Sequence, residues 1–314
     1  MLSNYYYNKL NNKERSKYST ILQGVSSLED NIKMDDIMEE ETTIALINEH
    51  PELYYCNLRE INYLCGPFST KAQINYLCNE KIISEVNNRT KVISSFFPDG
   101  VTEETVRAIH NYIVKNVEYD YISGHSNAYE HEGHTVIGPL LNGKGVCEGI
   151  ALLFKRLLDL KGIDNTVVVG EYGDAQGIYH MWNVVSIQGR NYYIDITQDI
   201  ATTNKNWGKP SYMFYMLTEE EIHSDHGFND DFNCHNTIDN PFHKAGRVFS
   251  NIIWLEQYIR SIPPSQRLIN FKYTGSEPKQ TVTNIVTRCM ARHPLYPKMS
   301  VIEHYGRYYF FKEI

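Results

Sequence analysis

Cys147, His180 and Asp195 are the residues of this chain whose types and setting could do covalent chemistry. A thiol attacks a carbonyl as the thiolate, so it needs a base to take and return a proton, and the base needs a partner to orient it. Cys147 stands in the run Asn142-Gly143-Lys144-Gly145-Val146-Cys147-Glu148-Gly149-Ile150. Ile150, Leu153, Phe154, Leu157 and Leu158 then recur at helical spacing, and Gly162 supplies a stop. The pattern predicts a helix over 147–161 with Cys147 in its first turn, where free N–H groups and the macrodipole favour an anion. A purely structural cysteine more often sits within the apolar face. The other five, at 56, 65, 78, 234 and 289, make no Cys-x-x-Cys pair and no disulfide framework.

His180 and Asp195 must be brought to that helix by strands. His180 opens an apolar arm over 180–187, and Asp195 falls in a second arm over 191–197, with Gln188-Gly189-Arg190 as the turn. Any hairpin loop of even length pairs positions whose numbers sum to an odd value. With such a loop His180 and Asp195 would project from one face, as opposite or diagonal neighbours, whereas an odd loop or a bulge would break the argument. An Asp flanked by Ile194 and Ile196 needs a partner if it is buried.

Around this centre the chain divides into three regions. Residues 1–98 read as helical near 10–25 and 34–47, then as short strands near 53–56, 61–65 and 72–77, then as a helix over 79–94. Residues 99–235 form the core, opened by a helix with Thr102 as N-cap and Val106, Ile109, Ile113 and Val114 as its stripe. Residues 236–314 read as a small α+β module: a helix near 248–261 stopped by Pro263-Pro264, a strand near 267–273, a helix near 280–291 and two terminal strands. A length of 314 residues accommodates such a division, and 42% hydrophobic content excludes a disordered chain. The net charge of −8 argues against a nucleic-acid partner. No apolar run reaches membrane-spanning length, and the first residues lack an export-directing stretch, so the expected compartment is the cytosol with reduced thiols.

The segments GKGVCEGIALLFKRLLDLKGI (143–163), VVVGEYGDAQGIYHMWNVVSI (167–187) and YYIDIT (192–197) resemble a known bacterial pattern. It consists of a Gly-x-Val-Cys-x-Gly helix, a His-x-Trp-Asn strand and a Tyr-x-x-Asp-x-Thr strand, and it marks the transglutaminase-like branch of the papain-like cysteine enzymes. Tyr212 to Leu217 followed by Asp225-His226 is similar to the segment that trails the core in such proteins. The resemblance implies an α+β, papain-like core in which the helix bearing the Cys packs on an antiparallel sheet bearing the His and Asp. It implies Cys147 as nucleophile, His180 as base and then acid, Asp195 as orienter of the imidazole, and Trp182 and Asn183 as site wall. Gly145 and His134 are the further substrate-facing candidates, with His134, Asn142 or a backbone group completing an oxyanion hole. Thr197 is followed by Gln198 and Asp199 where bacterial members often carry a Trp and acids, a departure that touches the acceptor side.

The leading expectation is an enzyme acting on an amide or acyl bond of a protein or peptide without a cofactor. Its thioester would be resolved by water or by an amine. The alternative is a non-catalytic interaction module that keeps the fold. A zinc hydrolase on the His125–His134 loop, with three His and two Glu, is set aside because its spacing is not His-Glu-x-x-His. His223, Asp225 and His226 form a second tempting group, in which His226 reads as a structural residue of the trailing segment.

Overall fold

The computed structural model describes residues 1–67, 69–125, 131–173, 177–203, 210–304 and 308–313. In the N-terminal region, α1 (Asn12–Ser26) and α2 (Glu40–Glu49) pack beside a small antiparallel sheet of β1 (Asn31–Met34), β2 (Asn62–Cys65) and β3 (Thr70–Gln73), with β3 central. The helix expected from Met34 begins only at Glu40. Met34 ends a strand, and the link after it is held by buried Lys17, which binds Glu14 at 2.6 Å and the Ile37 carbonyl. The expected strand at Leu53–Cys56 is instead a tight turn begun by Pro51, whose fixed φ suits a helical first turn; Cys56 keeps a single bridge to Tyr76. A long helix, α3 (Glu80–Ser95), is capped by the Asn79 side chain and leads into the core.

The core is one helix packed on one face of a sheet. α4 (Glu103–Asn116), capped by Thr102 as its sequence predicts, lies beside α5 (Cys147–Leu160). Ile150, Leu153, Phe154, Leu157 and Leu158 of α5 are fully buried. They meet Val167, Met181, Val185, Tyr192 and Ile194 from β4 (Asn165–Tyr172), β5 (Ile178–Ile187) and β6 (Arg190–Ile194). The sheet is antiparallel in the order β6-β5-β4-β7, where β7 is the short edge strand His226–Gly227. Its other face carries Trp182, Val184 and Tyr193 under Phe214, Leu217 and Phe232.

The β5–β6 turn is shorter than expected. Gln188 (φ 51°) and Gly189 (φ 76°) make a two-residue left-handed turn, and Arg190 already pairs with Ile187. The loop is therefore even, and Asn183 pairs with Ile194, so the parity argument holds. Asp195 itself has left the sheet: β6 ends at Ile194, and α6 (Ile196–Thr202) begins with Asp195 as N-cap. The Asp195 backbone N–H donates to Phe214 O at 2.9 Å rather than to β5.

The C-terminal module has a sheet in the order β8-β9-β11-β10, formed by β8 (Val248–Phe249), β9 (Leu268–Tyr273), β10 (Met299–His304) and β11 (Tyr308–Glu313). Two helices, α7 (Ile252–Ser261) and α8 (Lys279–Met290), pack against each other beside this sheet. Lys272 of β9 is buried and pairs with Glu221 of the core at 3.5 Å. No helix among the described residues is long and apolar enough to cross a membrane.

Gly149 shows how tightly the nucleophile helix is seated. A Cβ there would lie 2.3 Å from the Gly133 carbonyl oxygen and 2.8 Å from that of Thr135. Alanine would gain about 1 kcal/mol of helix propensity, yet overpacking against backbone costs roughly 1–3 kcal/mol. The 2.3 Å approach to backbone puts the clash at the upper end of that range, so Gly149→Ala is expected to lower unfolding stability by up to about 2 kcal/mol in chemical denaturation. An unchanged or raised midpoint would show that the 133–135 segment yields freely.

Candidate active site

Cys147 is the first residue of α5 and is buried. Its N-cap, Val146, offers no side-chain oxygen to the first-turn N–H groups, and the Val146 N–H is spent on Gly133 O at 3.1 Å. No side chain of the N-cap therefore occupies the helix mouth. Gly145, just before it, pairs in a short parallel bridge with Tyr119. Glu148, just after it, is buried, yet its carboxylate is paired with Arg59 of the N-terminal region and accepts from His134 Nδ1 at 2.8 Å.

His180 faces the same helix mouth from β5. Its Nε2 lies 2.7 Å from Asp195 Oδ2, and Cys147 at the start of α5 is near enough to the same ring to make it more basic. With Nε2 committed to the carboxylate, Nδ1 is the nitrogen left for the sulfur. Burial works against a charged ring here, but the Asp195 carboxylate and Cys147 outweigh it and lift His180 to about 10. Burial alone would raise Asp195; His180 and His226 instead hold it well below the usual carboxylate range. The β5–β6 register stops at the Asn183–Ile194 pair, and His180 meets Asp195 just beyond the end of β6.

The other sequence candidates surround this pair. Trp182 is buried behind His180, with ring centroids 5.8 Å apart and planes at 24°. The Asn183 side chain donates to the Ala151 carbonyl at 3.1 Å and so ties β5 to α5. His134 gives its Nδ1 to Glu148. Residues 126–130 of the His125–His134 loop, and with them the spacing that invited a zinc reading, lie outside the described residues.

His226 is more than the structural residue expected of it. Its Nε2 lies 3.0 Å from Asp195 Oδ2, so two imidazoles converge on one carboxylate oxygen. His180, Asp195 and His226 bring three metal-capable atoms together. The separations of 2.7 and 3.0 Å are those of hydrogen bonds, which an ionised carboxylate can only accept. No spacing signal announces this: His226 is 31 residues from Asp195 and arrives only because β7 pairs with the far edge of β4.

Residues 96–195 match the family model of the Transglutaminase-like superfamily. They are a transglutaminase-like domain. The human protein named kyphoscoliosis peptidase is 28% identical over 156 residues, covering 46% of this chain. Its mouse counterpart is 28% identical over 142 residues, covering 41% of this chain. The chain spans only 23% and 21% of the length of those two relatives. A solved structure of a TGase superposes with a TM-score of 0.33 at 12% identity, covering 53% of this chain and 50% of that one. The matched segment of the transglutaminase-like domain ends at Asp195, so His226 and β7 lie beyond it.

A proton held on His180 has two measurable consequences. Its ¹⁵N shifts are expected to report a doubly protonated ring through pH 8 with titration near pH 10, and Asp195→Asn to bring that titration down by about one unit or more. Because the folded value exceeds the unfolded one of about 6.5, the associated stability is complete below about pH 6.5 and is lost as pH rises through about 10. A wild-type ring that titrates near 6.5 would contradict the geometry.

Proposed function

We propose that this chain is a cysteine enzyme that cleaves amide bonds of a protein or peptide substrate through a Cys147 thioester. The observation that carries the reading is the His180 ring, bonded to Asp195 at 2.7 Å on Nε2 and made more basic by Cys147 nearby. In the first half-reaction the Cys147 sulfur attacks the carbonyl carbon, and the oxyanion is received by the first-turn N–H groups of α5. The C–N bond then breaks as His180 Nδ1 passes its proton to the departing nitrogen. In the second half-reaction Nδ1 takes a proton from the acceptor, whose oxygen or nitrogen attacks the thioester and releases the sulfur. Asp195 keeps the ring oriented and its charge balanced throughout.

Water as acceptor makes the enzyme a peptidase; a lysine or small amine makes it a transglutaminase. Hydrolysis is the reading adopted, because water needs no second-substrate site and the curated relatives are named peptidases. A polypeptide substrate is supported by apolar side chains left exposed beside the catalytic residues. Ile178 and Tyr179 immediately precede His180, while Tyr121 and Ile122 follow Tyr119, whose short strand pairs with Gly145.

Iodoacetamide should alkylate Cys147 rapidly at pH 6, where an ordinary thiol is almost wholly protonated, and slowly in His180→Ala. Against a fluorogenic peptide library, Cys147→Ser is expected to abolish turnover and His180→Ala to lower it about 10²–10⁴-fold. Incorporation of a fluorescent amine in place of hydrolysis would assign the transferase reaction. Slow alkylation that is indifferent to His180 would instead favour an interaction module.

A further inference from the structure

The trailing segment that carries Asp225 and His226 reaches the centre through a backbone fit. Tyr172 of β4 pairs with His226, and Gly170 leaves room that a Cβ, 2.4 Å from the Gly227 carbonyl oxygen, would close. Once there, the His226 ring is sealed in by Trp182 at 4.7 Å, Tyr172 at 5.0 Å and Phe214 at 6.0 Å between centroids. Its Nε2 meets Asp195 Oδ2 at 3.0 Å and its Nδ1 meets Asp225 Oδ1 at 2.6 Å. Ionised carboxylates accept hydrogen bonds and cannot donate them, so both contacts are satisfied only when both ring nitrogens carry protons. With both carboxylates ionised, His226 bridges them as an imidazolium, and one of the two also holds His180.

We propose that His226 is a positioning residue of the Cys147–His180–Asp195 centre: clamped by Asp225, it fixes the Asp195 carboxylate and offsets part of the charge that Asp195 presents to His180. The inference rests on the catalytic reading above. Its sign follows from electrostatics. A cation on the far side of Asp195, with its ring 5.7 Å from that of His180, makes the His180 proton easier to release to a leaving group. Burial disfavours the His226 charge, while the bonds to Asp195 and Asp225 restore it and leave the ring more basic than usual. The charged and titratable groups facing it are Asp225 on its own segment, Asp195 at the start of α6, His180 on β5 and Tyr172 on β4. Lys272 of β9 acts from further off through Asp225 and is itself paired with Glu221.

The test needs no substrate: the pH profile of Cys147 alkylation, read by peptide mass spectrometry, in wild type, His180→Ala, His226→Gln and Asp225→Asn. His226→Gln keeps a donor toward Asp195 but removes the charge, so the upper inflection, set by loss of the His180 proton, should rise by roughly one pH unit. Asp225→Asn, which lets His226 become neutral in place, should shift it in the same direction. A purely structural role would alter melting temperature and leave the inflection where it is. Profiles of both variants that superimpose on wild type, when wild type still depends on His180, would overturn this role and spare the catalytic reading. A wild-type profile indifferent to His180→Ala would overturn both. Should a variant fail to fold, the ¹⁵N shifts of His226 in wild type decide: double protonation at pH 7 is expected, and a neutral ring refutes the bridge.

Discussion

The site depends on burying one carboxylate. Asp195 has no solvent exposure, and an ionised carboxyl in that position is several kcal/mol too costly unless donors replace the lost water. Three do so: His180 and His226 on Oδ2, and the Gln198 backbone N–H at 3.1 Å on Oδ1. They come from β5, β7 and the first turn of α6. The charge is comfortable only when the β5–β6 hairpin, the edge strand and the helix start are all in place. The requirement that protects Asp195 therefore also fixes the orientation of His180.

One helical turn later the chain repeats the motif with another outcome. Asp199 is equally buried and bonds His110 of α4 at 2.9 Å, while its Oδ1 accepts from the Phe214 N–H at 3.0 Å. Burial pushes its carboxyl upward, His110 and Phe214 oppose that, and the negative charge of Asp195 adds to the rise. The two carboxylates share Phe214, whose carbonyl accepts from Asp195 N–H and whose N–H donates to Asp199. With a single imidazole and a like charge nearby, Asp199 is the poorer anion of the two. Its contribution is mechanical: it locks α4 to α6 and holds steady the peptide on which Asp195 hangs.

Much of this was legible in the residues. The stripe of α5, the Thr102 cap and the pairing parity of the hairpin are local or short-range facts, and each is where the spacing puts it. Asp195 was legible as a partner of His180 but not as an N-cap, because an Asp between two isoleucines reads as strand until its side chain is seen to accept from Gln198. The helix expected from Met34 failed for a similar reason. Its periodicity runs on through residues 34–39, but Lys17, coming from a different helix, ties the Ile37 carbonyl into an extended link. His226 was legible only as a residue of the trailing segment, and its contact with Asp195 could not be read. Its role depends on an edge pairing to β4 between residues more than 50 positions apart, and nothing in a local window encodes that register.

The same reasoning explains why the N-terminal region touches the chemistry without contributing to it. A carboxylate one residue from a nucleophilic sulfur repels the negative charge that must build there, and burial strengthens the repulsion. Glu148 is such a group, and it is tolerated because Arg59 and His134 bind it from two sides. Arg59 lies in the turn-rich stretch before β2, whose position is set by the packing of α1, α2 and the small sheet. Neutralising Glu148 thus ties the ordering of a region outside the matched domain to the charge balance at Cys147. The helix mouth can favour an anion on sulfur only where the neighbouring anion has already been answered.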